Sequence, residues 1–134
     1  MSYLIRKTDT FLRNWKKNPD RYPLIIKGAR QVGKTETIRK FAKENYKNLV
    51  EINFITEPAY KTIIDEGFSA DNILKLISRI DPSKHFDAGE TLLFFDEVQD
   101  FPEIATSLKF FKESGKYDVI CSGSLLGVQY HRIA

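Results

Sequence analysis

Residues 24–35 read LIIKGARQVGKT, the most specific stretch of the 134-residue chain. Its first three residues are apolar and two of them are β-branched, which favours a short buried strand. Gly28 ends this run, four residues intervene, and Gly33, Lys34 and Thr35 follow, so the segment matches the pattern G-x-x-x-x-G-K-[ST] at every fixed position. From Gly33 onward, apolar residues recur at helical spacing. The stretch therefore predicts a strand, a tight loop and a helix in that order.

This arrangement is suited to holding a chain of phosphates. Glycine torsions let successive backbone N–H groups of the loop point inward, and the following helix turns the positive end of its dipole toward the anion. Lys34 can reach the β and γ phosphates, and the Thr35 hydroxyl can ligate Mg²⁺. The predicted contacts to the nucleotide are Gly28, Ala29, Arg30, Gln31, Val32, Gly33, Lys34, Thr35 and Glu36. The alternative, a chance match, is disfavoured by the apolar run before the loop and the helical pattern after it.

A second motif lies at residues 92–97, which read LLFFDE. Four apolar residues predict a buried strand that delivers Asp96 to the carboxyl edge of a sheet, where a carboxylate can hold Mg²⁺. Glu97 comes one residue later and is the candidate general base for a water that attacks the γ phosphate. The alternative is an apolar strand that simply ends in solvated acids. A phosphate loop in the same chain favours the catalytic interpretation, with Lys34, Asp96 and Glu97 acting together.

The surroundings of these motifs narrow the class of nucleotide chemistry. A GTPase is expected to carry D-x-x-G after the third strand and N-K-x-D at a later strand end, whereas this chain has DEVQ at the first place. The nearest echo of the second, GKYD at residues 115–118, lacks the asparagine and precedes a strand instead of ending one. The sequence shows no arginine-rich lid of the kind that small-molecule kinases need. An additional strand predicted at residues 48–54, together with the Asp-Glu pair, favours an ATPase with a catalytic glutamate.

The strand predicted at residues 117–121, YDVIC, is followed by Ser122, Gly123 and Ser124. In ATPases with an added central strand, a polar side chain at this strand end contacts the γ phosphate or the attacking water, and we prefer Ser122 over Ser124 for that role. The alternative is that SGS forms an ordinary polar turn. Cys121 is the single cysteine and is expected to be buried and inert; a chain with one cysteine forms no internal disulfide, which favours a cytoplasmic location.

The rest of the chain reads as one α/β domain. An amphipathic helix is predicted within residues 1–20, a helix capped by Asp71 runs to Ile80, and another begins near Pro102. Strands separated by helices predict a three-layer α/β/α fold with a parallel sheet, the P-loop NTPase architecture. The net charge of +3, from 21 basic and 18 acidic residues, is too small to indicate nucleic acid or a membrane as a partner. No apolar run reaches the ~20 residues of a membrane span.

Three stretches together resemble a known family: GARQVGKT (28–35), FFDEVQDFPE (94–103) and VICSGSLLG (119–127). They are similar to the AAA-like ATPase domain (AAA_14) of bacterial and archaeal proteins that pair it with a C-terminal DUF4143 region. The dipeptides Arg30-Gln31 and Val98-Gln99 go beyond the generic motifs, and the resemblance covers nearly the whole chain. It implies ATP and Mg²⁺ binding at residues 28–35, Asp96 as magnesium ligand, Glu97 for hydrolysis and residues 122–124 as sensor.

The resemblance also implies that part of the usual protein is missing from this chain. Family members typically run to several hundred residues, so residues 1–134 are expected to be an AAA-like core without the second sensor and the DUF4143 region. A naturally complete minimal domain is the alternative. A fifth strand, normally next to strand 24–27, is expected to be absent, which would leave that strand at an exposed edge.

Two functions remain open at this point. One is an ATPase that drives or switches an attached C-terminal domain; the other is a nucleotide-binding switch without significant turnover, and a P-loop kinase is a third and weaker alternative. No arginine finger can be assigned, because Arg13, Arg30 and Arg132 are all conceivable and another subunit could supply one. Residues 21–23 are candidates for contacting the adenine, with a simple turn into the first strand as the alternative.

Overall fold

The computed structural model describes residues 3–28 and 33–124. Its α-helices are α1 (Tyr3–Lys17), α2 (Lys34–Asn45), α3 (Ala70–Ile80) and α4 (Leu108–Ser114). Its strands are β1 (Leu24–Gly28), β2 (Asn48–Asn53), β3 (Thr91–Asp96) and β4 (Asp118–Ser124). Three short 3₁₀ helices span Pro58–Ile64, Val98–Asp100 and Pro102–Ser107.

The four described strands form one parallel sheet in the order β1-β4-β3-β2. All four strands therefore end at the same edge of the sheet, and both loops that the sequence singled out, after β1 and after β3, begin there. The α/β prediction with a parallel sheet is confirmed. Within the described part of the chain β1 is an edge strand.

Helices α1 and α2 cover one face of the sheet. This layer is apolar because the even-numbered residues of β3, Leu92 and Phe94, point into it, and strand side chains alternate between faces. Ile120 of β4 lies beside them. The helical side chains packed on this face are Leu12, Trp15, Ile38, Phe41 and Ala42, all buried.

The second face is larger and is covered by α3, α4 and the 3₁₀ segments. Leu93 and Phe95 of β3 point into this layer, where Phe95 contacts Phe54 and Phe111 with ring centroids 5.8 and 6.4 Å apart. Cys121 is also buried here, and burial raises the pKa of its thiol to about 12, so the expectation of an inert buried cysteine is confirmed. With both faces covered, β3 is buried from Thr91 to Phe95, which explains its continuous apolar run.

Several local predictions need correction. The cap of α3 is Ser69, whose side chain accepts a hydrogen bond from the Asn72 N–H at 3.2 Å, so the assignment of this role to Asp71 was wrong. Strand β4 continues through Ser124, so the alternative that residues 122–124 form a turn was wrong. The segment after Pro102 begins as a 3₁₀ helix and becomes α-helical only at Leu108.

Within the described residues, no helix has the length and apolarity needed to cross a bilayer.

Candidate nucleotide site

The phosphate loop leads into α2 at Gly33. This residue has φ 98°, in the left-handed region that glycine tolerates, and its carbonyl accepts hydrogen bonds from Thr37 N–H (2.8 Å) and Thr37 Oγ1 (2.7 Å). Lys34 is the first helical residue, so the N–H groups of residues 34–36 lie in the first turn, where a helix has no internal partner for them. A helix start of this kind suits an anion.

The remaining loop predictions fall partly outside the described part of the chain. Residues Ala29, Arg30, Gln31 and Val32 are not described, so their contacts to a nucleotide stay predictions. Gly28 is the last residue of β1, at the carboxyl edge of the sheet. Lys34 and Thr35 are half-buried at the start of α2.

Glu36 is a less direct candidate than its neighbours. Its carboxylate accepts a 2.6 Å hydrogen bond from Arg39, and its side chain is 72% exposed. Arg39 in turn holds Glu51 of β2 with two hydrogen bonds, at 2.8 and 2.7 Å. The side chain of Glu36 therefore turns toward this surface ion-pair cluster, and the backbone N–H is the group that residue 36 offers to a phosphate.

Asp96 lies at the end of β3, and strand alternation places it on the same face as Leu92 and Phe94, the face that α2 covers. Its pKa is raised mainly by burial and further by the nearby carboxylates of Glu97 and Glu51; the Glu97 N–H, which donates to Asp96 Oδ1 at 2.9 Å, and the Lys34 ammonium act in the opposite direction. Because parallel strands β1 and β3 end at the same edge of the sheet, the phosphate loop and the acidic strand end lie at that same edge. A divalent cation would relieve the cost of this charged carboxylate.

Glu97 leaves the line of the strand. It has φ 56° and ψ 46°, and it is the one non-glycine residue with positive φ in the described ranges 3–28 and 33–124. Its carboxylate accepts a hydrogen bond from Gln99 Nε2 at 2.9 Å. Side chains other than glycine adopt this backbone conformation rarely, and such residues are concentrated at functional sites.

Ser122 pairs in register with Asp96 on one side and with Ile26 on the other. Its side chain is 1% exposed, and its hydroxyl has no hydrogen-bond partner within the described part of the chain. A buried hydroxyl without a partner costs free energy, so such a group marks a place where a ligand oxygen or a water fits. The strand alternation directs Asp96 and Ser122 to the same face of the sheet, toward α2. The backbone of Ser124 ends β4.

The described residues hold no preassembled group of three or more carboxylate, histidine or cysteine side chains for a metal ion. This donor set still suits Mg²⁺, because that ion is commonly held by one or two protein oxygens together with phosphates and waters. The assignment of the Thr35 hydroxyl and the Asp96 carboxylate as the protein oxygens for this ion stays a prediction.

Residues 21–23, the suggested adenine contacts, lie at the opposite edge of the sheet from the phosphate loop. Residues 21–23 precede β1 at the amino edge of the sheet, and five residues of strand separate them from the phosphate loop by about 15 Å. The Arg21 guanidinium donates to both oxygens of Asp118 at 2.9 Å, and the Tyr22 carbonyl accepts from Trp15 Nε1 at 2.8 Å. These contacts favour the alternative, a structural turn into the strand.

Sequence reasoning missed two features of this site. Glu51 sits in the middle of β2, and the available signal was a carboxylate among apolar strand residues, on the face that turns toward α2. Gln99 was noted only as a family detail, although it contacts the candidate base directly. The Arg39–Glu51 contact joins separate segments and the Gln99–Glu97 contact depends on the turn conformation at Glu97, neither of which a linear motif contains.

A parallel sheet in this order, with a G-x-x-x-x-G-K-T loop after β1 and an Asp-Glu pair after β3, defines a P-loop NTPase domain. The family model described as an AAA domain (AAA_14) matches residues 20–134, and the chain belongs to that family. No curated protein gives a match to this sequence.

Solved structures show the same fold at low sequence identity. The chain is similar to Caenorhabditis elegans PCH-2 (TM-score 0.57, 13% identity) over 92% of its own length and 38% of that chain. It is also similar to domain III of the Thermotoga maritima replication initiation protein DnaA (0.53, 18%), covering 91% of this chain and 52% of that one. The chain is similar as well to a chain in the structure of Drosophila ORC bound to AT-rich DNA and Cdc6, with a TM-score of 0.52 and 11% identity. This match covers 90% of the present chain and 47% of the other one. The present chain thus spans about half or less of each of these chains.

Proposed function

We propose that this chain is an ATP-binding and ATP-hydrolysing module that requires Mg²⁺. The observation that carries the proposal is that β1, which leads through the loop into α2 at Lys34, and β3, which ends at Asp96 just before Glu97, finish at the same edge of one parallel sheet. A cation for the phosphates, a carboxylate for the metal and a second carboxylate for water then share one edge of the sheet.

Each group has a distinct role in this proposal. The backbone N–H groups of residues 28–36 and the Lys34 ammonium would bind the phosphates, while Thr35 and Asp96 would hold Mg²⁺. When bound, the ion would neutralise charge on the β and γ phosphates. Glu97 takes a proton from water as the water oxygen bonds to the γ phosphorus and the bond to the β–γ bridging oxygen breaks, giving ADP and phosphate. Ser122 contacts the γ phosphate or this water.

The family resemblance supports a coupling role for the module. Residues 1–134 would form the ATP-binding core, with residues 1–20 as a helical lead-in, and the nucleotide state would drive or switch a domain attached on the C-terminal side. A DUF4143 region is the attached part that the resemblance suggests. The cytoplasm, where ATP and Mg²⁺ are abundant, is the compartment that suits this activity.

Binding and turnover measured on the same sample test the proposal. The 134-residue chain is titrated with ATP in the presence and absence of Mg²⁺, and phosphate release is followed in parallel. We expect metal-dependent ATP binding and slow release of phosphate, and Lys34→Ala should weaken ATP binding by at least about tenfold, because it removes a charge-assisted contact to the phosphates. Unchanged ATP affinity in Lys34→Ala would contradict the assigned site.

A second candidate, a nucleotide-binding switch without significant turnover, is favoured by one observation. The arginines whose side chains are described all pair with carboxylates: Arg13 with Asp9, Arg21 with Asp118, Arg39 with Glu36 and Glu51, and Arg79 with Glu66. None of these four is poised to act as an arginine finger, a group that accelerates phosphoryl transfer strongly. Tight ATP binding with no phosphate release would favour the switch over the ATPase.

A further inference from the structure

We propose that Gln99 is a positioning residue that orients the Glu97 carboxylate for ATP hydrolysis, an inference that rests on the function proposed above. Gln99 Nε2 donates a hydrogen bond to Glu97 Oε1 at 2.9 Å. A side-chain amide carries no acidic proton, so this contact fixes the rotation of the carboxylate without competing with it for the proton of water. Orientation of a base toward its water is a substantial part of its catalytic effect.

The turn that carries Gln99 is held rigidly by its neighbours. Val98 and Phe101, on either side of it, are buried, and the Phe101 ring packs on Phe54 with centroids 4.9 Å apart. The Phe101 N–H donates to the Val98 carbonyl at 3.0 Å. The backbone at Gln99 is thus flanked by two buried residues, which suits a residue that positions a catalytic group.

The backbone of Glu97 makes the contact with Gln99 possible. The strand ends at Asp96, and the left-handed conformation of Glu97 turns the chain into the 3₁₀ helix Val98–Asp100 at once. The Asp100 N–H closes this turn on the Glu97 carbonyl at 3.1 Å. The unusual torsion of Glu97 and the amide of Gln99 therefore act on the same carboxylate, one through the backbone and one through the side chain.

The hydrogen-bond donor to Glu97 is an uncharged amide in an acidic setting. Asp96 is adjacent, and Glu97 is one of the carboxylates that act on it, so two like charges stand side by side at the strand end. The Gln99 amide supplies a hydrogen bond to Glu97 without adding a cation that would compete with Mg²⁺ for the carboxylates.

Steady-state kinetics of Gln99 variants test this inference. Gln99→Met keeps the volume of the side chain and removes the donor; Gln99→Ala removes both. We expect kcat for phosphate release to fall about tenfold, the effect of losing a hydrogen bond to a charged group, with the KM for ATP changed less than about twofold. In the Glu97→Gln background, Gln99→Met should cause no further loss, since the residues act as a unit.

Asp100→Asn is the matched control in the same turn. Its ion pair with Lys61 is exposed, so kcat should not change.

The outcomes separate this inference from the proposed function. Absence of turnover in the unmodified chain, or full turnover in Glu97→Gln, overturns both. If the unmodified chain is active and Glu97→Gln is not, an unchanged or raised kcat in Gln99→Met overturns the positioning role alone. A Gln99→Met loss of the same size in the Glu97→Gln background also overturns it, because the effect would then not act through Glu97.

Discussion

At the scale of single residues, the ionised carboxylate of Asp96 destabilises the folded protein when no ligand is bound. Its pKa in the folded protein is raised above the ordinary value of 3.8 by burial and by the neighbouring carboxylates. The folded state therefore binds this proton more tightly than the unfolded state, so stability is lost as pH rises from the ordinary to the raised pKa. A metal ion at this carboxylate would offset the loss.

Because the ionised Asp96 destabilises the fold, we expect Asp96→Asn to stabilise it. The unliganded variant should have a Tm higher than that of the unmodified chain at pH 7 by about 1–4 °C, and the gain should disappear below pH 3, where the carboxyl is protonated in both states. Addition of Mg²⁺ and ATP should raise the Tm of the unmodified chain and leave that of the variant nearly unchanged. Differential scanning calorimetry checks both effects. A lower Tm for the unliganded variant at pH 7 would show that Asp96 has a structural role instead.

At the scale of elements, Asp118 joins three parts of the chain at the edge of the sheet opposite the phosphate loop. Asp118 is the first residue of β4. Its carboxylate accepts hydrogen bonds from Arg21, which lies between α1 and β1. It also accepts a hydrogen bond of 2.5 Å from the hydroxyl of Tyr46, which lies just after α2. Lys16 of α1 lies 3.9 Å away. Burial and the bond to Asp118 raise the pKa of Tyr46, so its phenol stays a donor. The GKYD stretch that faintly echoed a guanine motif thus has a structural role.

Asp118→Asn should destabilise the fold by about 2 kcal/mol, because the Arg21 guanidinium would lose a bidentate anionic partner in a setting where the Asp118 side chain is only 15% exposed. Urea denaturation measures this loss. Glu66→Gln is the matched control, since Glu66 also holds two basic partners, Lys75 and Arg79, but on the open surface, where such pairs contribute little. Equal denaturation midpoints for the two variants would contradict the anchoring role of Asp118.

At the scale of the whole molecule, the sequence could predict the elements that carry motifs and the edge at which they meet. The phosphate loop and the Asp-Glu pair each require a strand that ends beside a helix start, so their positions imply a parallel sheet. The left-handed torsion of Glu97 could not be predicted, because residue 97 is neither glycine nor asparagine, the residues that usually signal it. The burial of Ser122 and the Asp118 network likewise depend on contacts between distant segments.

The most direct measurement for the central claim is phosphate release by Glu97→Gln, made beside a determination of its ATP affinity. The substitution keeps the size of the side chain and removes the proton acceptor. If Lys34, Asp96 and Glu97 form an ATP-hydrolysing edge, ATP affinity in the presence of Mg²⁺ should stay within about twofold, while the rate of phosphate release falls by at least about a hundredfold. A variant that releases phosphate as fast as the unmodified chain would contradict the account.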